Sequence, residues 1–198
     1  ILDDEGDRLE NDEGNIAIQL PLPPSCLVTI WGDTQRLLDG YLSDVPGYYT
    51  SGDGGYFDED GYLFVMGRTD DVINVAGHRL STGEIEECIS SHPDIAECAV
   101  IGSHDDLKGQ IPVGFIVLKA NSEKDDETIS KELVSLVRDK IGPIVCYKDS
   151  HLVKRLPKTR SGKILRKTIK AIVDGNSYTV PATIDDPTSL DEIKDVLA

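Results

Sequence analysis

The chain has 198 residues, with 20 Lys and Arg against 36 Asp and Glu, giving a formal charge of −16. That length can bury a core and allows one or two domains, whereas the charge repels a polyphosphate backbone and argues against nucleic-acid binding. No apolar run approaches the roughly 20 residues of a membrane span. The four cysteines (Cys26, Cys88, Cys98 and Cys146) show no CxxC or metal-finger spacing, so they read as reduced, mostly buried thiols of an intracellular protein.

Ile1 in place of an initiator methionine predicts a piece of a longer protein, and no secretory leader opens it. The first 14 residues are acidic and read as loop or hairpin surface. Ile16–Leu20 reads as a strand closed by the Pro21-Leu22-Pro23-Pro24 breaker. Tyr48–Thr50 leads into a turn predicted over Gly52–Gly55. Tyr56-Phe57 and Tyr62–Met66 flank a turn at Asp58–Gly61, a hairpin signal. Ser81 and Glu84 stand at capping-box spacing, and Ile85, Cys88 and Ile89 share a helical face that ends before Pro93. Cys98–Ile101 and Val113–Leu118 are strand-like. Ile129, Leu133, Leu136 and Val137 form a helical stripe stopped at Gly142-Pro143. His151–Val153 reads as a further strand, Ile164 to Ile172 as a helix, and Ser189–Leu197 as a closing helix. Residues 1–69 are thus β-rich, and 70–198 are α+β with a mainly antiparallel sheet.

The chemistry concentrates in Pro157-Lys158-Thr159-Arg160-Ser161-Gly162-Lys163. Gly162 lets backbone come close to a ligand, and the Lys163 stem reaches a phosphate or carboxylate oxygen. By itself the segment reads equally as a solvated basic turn. A GxxxxGK[ST] phosphate loop is excluded, because Pro157 stands where the first glycine belongs and Ile164 where the hydroxyl belongs. Upstream lie Thr50-Ser51-Gly52-Asp53 and Gly67-Arg68-Thr69-Asp70-Asp71-Val72-Ile73-Asn74-Val75-Ala76-Gly77-His78-Arg79. These three strings, in this order and at these separations, resemble the C-terminal motifs of the adenylate-forming acyl-CoA synthetases. The likeness runs from about Ile16 to Leu197 and is nearest to the acetate and propionate ligases.

The resemblance implies that residues 1–69 end a large N-terminal AMP-binding domain and that 70–198 form a small lid. It implies a two-step reaction, in which ATP and a short-chain carboxylate give an acyl-adenylate and coenzyme A then displaces AMP. Lys163 would be the catalytic cation of the first step. Asp53 would accept from the ribose hydroxyls, with Arg68 and Arg79 as further nucleotide contacts. The bare sequence also reads Asp53 as a turn aspartate and both arginines as surface ion pairs. Asp70 would be the hinge between two lid orientations, with Asp71 its rival. Ala76 and Gly77 would line the channel for coenzyme A, and Arg138 would contact its nucleotide end. His92 matches a position where acetate-type relatives bind a cation, with backbone carbonyls at the Ser90 and Ile95 positions, though a lone helix-end histidine is more often a cap or surface group; Mg2+ is expected as a cofactor. Expected partners are the carboxylate, the N-terminal domain missing from the chain, and a lysine acetylase and deacetylase acting on Lys163. Nucleic acid and membrane are not expected, and bacterial cytoplasm and mitochondrial matrix both fit. The Leu20–Pro24 and Thr183–Pro187 segments favour propionate. Acetate, or a lid that has lost catalysis, are the alternatives.

Overall fold

The computed structural model describes residues 1–197, which divide into two units, Ile1–Asp70 and the chain from Asp71 onward. In the first unit, β1 (Gly14–Gln19), β2 (Tyr48–Phe57) and β3 (Leu63–Arg68) form an antiparallel sheet in that order. The β2–β3 turn is an aspartate turn, in which Asp58 Oδ1 accepts the amides of Asp60 and Tyr62 at 3.1 and 2.8 Å. Gly52–Gly55, expected as a turn from its composition, is not one. Strand β2 runs straight through it, with a register shift against β3 between Gly54 and Gly55. A helix that periodicity did not indicate, α1 (Thr34–Tyr41), is capped by Asp33, whose side chain accepts from the Arg36 amide at 3.0 Å.

The second unit is built on a sheet of order β5-β4-β7-β6, with β8 beside β7. Its strands are β4 (Val72–Val75), β5 (His78–Ser81), β6 (Ile95–Asp105), β7 (Gly109–Leu118) and β8 (Asp149–Leu152). Every pair is antiparallel except β7 with β8. The helices are α2 (Thr82–Ser90), α3 (Asp126–Lys140), α4 (Arg166–Val173) and α5 (Ser189–Asp195). Strand β6 explains the layering. Cys98 and Val100 join one core with α2 and α3, packed with Ile89, Ile129 and Leu133. Ala99 and Ile101 join the other, with Phe115, Ile169 of α4 and Ile193 of α5. A strand covered on both faces loses its polar alternation, which is why Cys98-Ala99-Val100-Ile101 is uninterrupted apolar sequence. Phe115, Ile89, Leu133, Ile169 and Ile193 are fully buried, and each stabilises the unit by about 1.5–3 kcal/mol of transfer free energy. The unit is the α+β, mainly antiparallel fold expected.

Candidate functional site

In the first unit, Asp53 and Arg68 are register partners across β2 and β3. Arg68 Nη1 lies 3.6 Å from Asp53 Oδ1, and Arg68 Nε donates to Asp70 Oδ1 at 3.2 Å. One guanidinium therefore spans two carboxylates, and Nη1 also donates to the Ser51 carbonyl at 3.1 Å. Gly52, at φ +74°, makes room for this, since a Cβ there would stand 2.8 Å from Arg68 Nη2. Ser51 Oγ donates to the Ile16 carbonyl and accepts the Asp53 amide, both at 3.1 Å. The backbone of Asp53 is thus pinned while its carboxylate is open, with 36% of the side chain exposed. Ion pairs this exposed contribute at most about 1 kcal/mol each, so a ligand can displace them.

In the second unit, Ala76 and Gly77 form the two-residue turn of the β4–β5 hairpin, between the paired Val75 and His78. Both have positive φ, 49° and 88°, the backbone of a type I′ turn. Two bonds hold it there. The Ala76 amide donates to the Lys108 carbonyl at 2.8 Å, and the Gly77 amide donates to Asn74 Oδ1 at 3.1 Å. Ala76 to Arg79 are all exposed, and Arg79 pairs with Asn74 in the ladder.

Lys163 closes a tight turn. Its carbonyl accepts the Thr159 amide at 2.8 Å, its amide donates to Thr159 Oγ1 at 3.1 Å, and the Gly162 amide donates to the Thr159 carbonyl at 2.8 Å. The bridges Lys158 to Ile164 and Thr159 to Ile184 extend this pairing on either side. Lys158 is ion-paired with Glu97 at 2.7 Å, and Arg166 is bound to Glu86. The exposed Lys163 ammonium, between them, has no hydrogen-bond or ion-pair partner among the described residues. A rigid backbone thus presents a free cation. Arg138, exposed in the last turn of α3, is likewise unpaired among the described residues. Lys163, the Ala76–Arg79 hairpin and Arg138 stand on three separate elements and share no hydrogen bond or ion pair.

Ser90, His92 and Ile95 lie where α2 passes into β6. His92 Nδ1 accepts the Asp94 amide at 3.2 Å, which leaves the ring proton on Nε2, 3.0 Å from Glu132 Oε2. Lys124 Nζ lies 2.8 Å from Asp94 and 2.6 Å from Glu132, and its hydrogen bonds hold both carboxyls below their ordinary range. The His92 carbonyl accepts the Ile95 amide at 3.2 Å. His92, Asp94 and Glu132 offer ligand atoms within 4.8 Å of one another, but both carboxylates are engaged by the Lys124 ammonium, which a cation here would have to displace; no step is assigned to one.

The sequence did not point to the cluster of Glu86, Arg166 and Asp71. Arg166 Nε and Nη2 bind Glu86 Oε1 and Oε2 at 3.0 and 2.7 Å, and Nη1 lies 3.7 Å from Asp71. This fork ties the start of α4, three residues past Lys163, to α2 and to the segment after Asp70.

Residues 84–163 match the family described as AMP-binding enzyme C-terminal domain. The whole chain is 47% identical to acyl-CoA synthetase short-chain family member 3, mitochondrial, of Mus musculus, covering 29% of that protein. Over 94% of its length it is 48% identical to the propionate–CoA ligase of Escherichia coli, covering 31% of it. In fold, 99% of the chain superposes on 30% of the acetoacetyl-CoA synthetase of Streptomyces lividans, with a TM-score of 0.83 at 24% identity. The chain thus spans about a third of the length of the curated relatives it matches. Motif order and sequence identity agree that the chain is similar to acyl-CoA synthetases of the short-chain type, and residues 84–163 match the AMP-binding enzyme C-terminal domain.

Proposed function

We propose that this chain is the C-terminal part of a ligase that joins a short-chain carboxylic acid, propionate first, to coenzyme A through an acyl-adenylate, with release of AMP and pyrophosphate. The observation that carries the reading is the unpaired Lys163 ammonium on its braced turn, flanked by cations that are engaged. When carboxylate oxygen attacks the α-phosphorus of ATP, negative charge builds on the phosphoryl oxygens. A fixed ammonium that meets this charge lowers the barrier more than it tightens substrate binding. Asp53 accepts from the ribose diol, and Arg68, already between Asp53 and Asp70, adds a donor fork beside it.

The second step uses the β4–β5 turn. Ala76 and Gly77 present backbone there with one side chain no larger than a methyl, so a narrow thiol arm can pass. Arg79 and Arg138 supply cations for phosphate groups. Asp70 is the residue about which the lid turns between the steps. The 48% identity to a propionate–CoA ligase supports propionate over acetate. The rest of the enzyme would supply the acyl pocket and cover the apolar side chains that the first unit leaves exposed, such as Val28, Trp31 and Val65. Acetylation of Lys163 would remove its charge and silence the first step. Relatives named as mitochondrial and as bacterial favour the matrix or the cytoplasm.

The test is Lys163→Ala in the intact enzyme. Propionate-dependent pyrophosphate exchange should fall by about 10²–10³, while thioester formation from supplied propionyl-adenylate stays near its original rate. Equal loss of both half-reactions would remove Lys163 from its role.

A further inference from the structure

The β4–β5 turn is ordered out of proportion to what it buries. Ala76, Gly77, His78 and Arg79 are all exposed, so core packing does not fix them. Among the described residues, β4 meets β7 at one register pair, Val75 with Gly109, which is little ladder to hold a hairpin. Ala76 nevertheless keeps φ at +49°, a region that residues with a Cβ rarely hold without a specific restraint.

The restraint comes from the β6–β7 hairpin. At its tip, Asp105 Oδ1 accepts the amides of Lys108 and Leu107 at 2.8 and 3.0 Å, and these bonds hold its carboxyl below the ordinary range. Lys108 Nζ anchors the tip from another side by donating to Cys146 Sγ at 2.9 Å. So fixed, the Lys108 carbonyl accepts the Ala76 amide at 2.8 Å. Further along β7, Gln110 Oε1 accepts the Asn74 amide at 2.9 Å, standing in for a strand carbonyl. Gly102 leaves space for that side chain, since a Cβ there would stand 3.0 Å from Gln110 Oε1. Asn74 Oδ1 in turn accepts the Gly77 amide at 3.1 Å. The amides of Asn74, Ala76 and Gly77 are thus all engaged, while the turn itself stays open to solvent.

We infer that Asp105 and Gln110 are positioning residues for the thioester step, acting through the Ala76–Gly77 turn and touching no substrate. This role rests on the proposed use of that turn as the passage for the thiol arm of coenzyme A. A thiol that must meet an acyl carbonyl tolerates little drift in the wall that guides it, and a displacement of about 1 Å costs on the order of 10² in rate. Asp105 aims the carbonyl that keeps Ala76 in its left-handed backbone. Gln110 fixes the strand residue whose side chain holds Gly77. Neither is bonded to the Lys163 turn, which Thr159 closes, so the two half-reactions should separate.

The test uses the intact enzyme with Asp105→Ala and Gln110→Met, and with Asp105→Asn and Gln110→Glu, which keep an oxygen acceptor in each place. Thioester formation from supplied propionyl-adenylate, read as kcat/KM for coenzyme A, should fall ~10-fold or more in the first two. The two conservative variants should recover most of the parent rate, and propionate-dependent pyrophosphate exchange should hold in all four. Amide exchange, followed by peptide mass spectrometry over Ala76 and Gly77, should quicken ~5–10-fold where one ordinary hydrogen bond is lost. Equal loss of both half-reactions, an unchanged thioester step, or unchanged exchange at the turn would overturn the inference. Asp105→Ala and Gln110→Met remove different bonds, so either one that folds decides the matter. A parent that forms no thioester sinks the ligase reading and this role with it; a competent parent matched by every variant sinks this role alone.

Discussion

Replacing Arg166 by Met removes a fork that the structure loads from both sides. Glu86 of α2 depends on it, since its side chain is only 15% accessible and that of Arg166 23%. Without the guanidinium, the carboxylate keeps one neutral donor, the Val100 amide at 2.8 Å. Breaking a fully buried ion pair costs about 3–5 kcal/mol, and the residual solvent access here lowers that to about 2–4 kcal/mol. At roughly 3 °C per kcal/mol for a unit of this size, the melting temperature should drop by about 6–12 °C. The assay is thermal and urea unfolding of the chain followed by circular dichroism, with Arg166→Met, Glu86→Gln and the double variant compared. Because the second substitution removes the group that the first one strands, the double variant should be less destabilised than the sum by about 2 kcal/mol. A loss under about 1 kcal/mol for Arg166→Met, or strict additivity, would refute the claim that this bidentate pair holds the start of α4.

Two further outcomes follow from the packing and the charges. Gly114→Ala places a methyl 2.1 Å from the Tyr147 hydroxyl, which is buried and bonded to Ser150 at 2.7 Å. It should cost about 1–3 kcal/mol in urea unfolding, and adding Tyr147→Phe should recover part of the loss; no recovery would mean that the hydroxyl is not the obstacle. Asp94 and Glu132 are held below their ordinary range by Lys124. In the folded state they therefore bind fewer protons than in the unfolded chain as the pH falls through the carboxylate range. The stability they confer is full above about pH 5 and is lost as pH drops through their folded values. The urea midpoint should thus fall more steeply from about pH 5 to pH 3 in the parent than in Lys124→Gln, and parallel curves would show that the ammonium is not the cause.

The elements legible in the sequence were those whose pattern is enforced by burial. Ile129, Leu133 and Val137 recur at helical spacing because one side of α3 faces the core, and all three are buried. Helix α1 escaped notice because it buries only Leu37, so it writes no stripe. The β4–β5 hairpin was masked by its turn. Alanine at φ +49° is an unusual choice where Asn or Gly is expected, and it is held there by the Lys108 carbonyl, which lies far along the chain. Three glycines within Gly52–Gly55 looked like a turn because their service to Arg68 and to neighbouring strands is tertiary. At the candidate site, Lys163, Asp53 and Gly77 stood out through short strings of sequence. Glu86 and Arg166 are 80 positions apart, and nothing local marks two such residues as partners. The same holds for Lys108 and Cys146, 38 positions apart.

The guanidinium of Arg68, shared between Asp53 and Asp70, sets up a tug-of-war with a thermodynamic corollary. On the proposed reading, a ribose bound at Asp53 would slacken one end and tighten the other, so that its occupancy and the freedom of Asp70 would be conjugate quantities, each biasing the other by the same factor. The three side chains lie well open to solvent, at 48%, 36% and 59% exposure, so added electrolyte should fray the coupling long before it disturbs the sheet beneath.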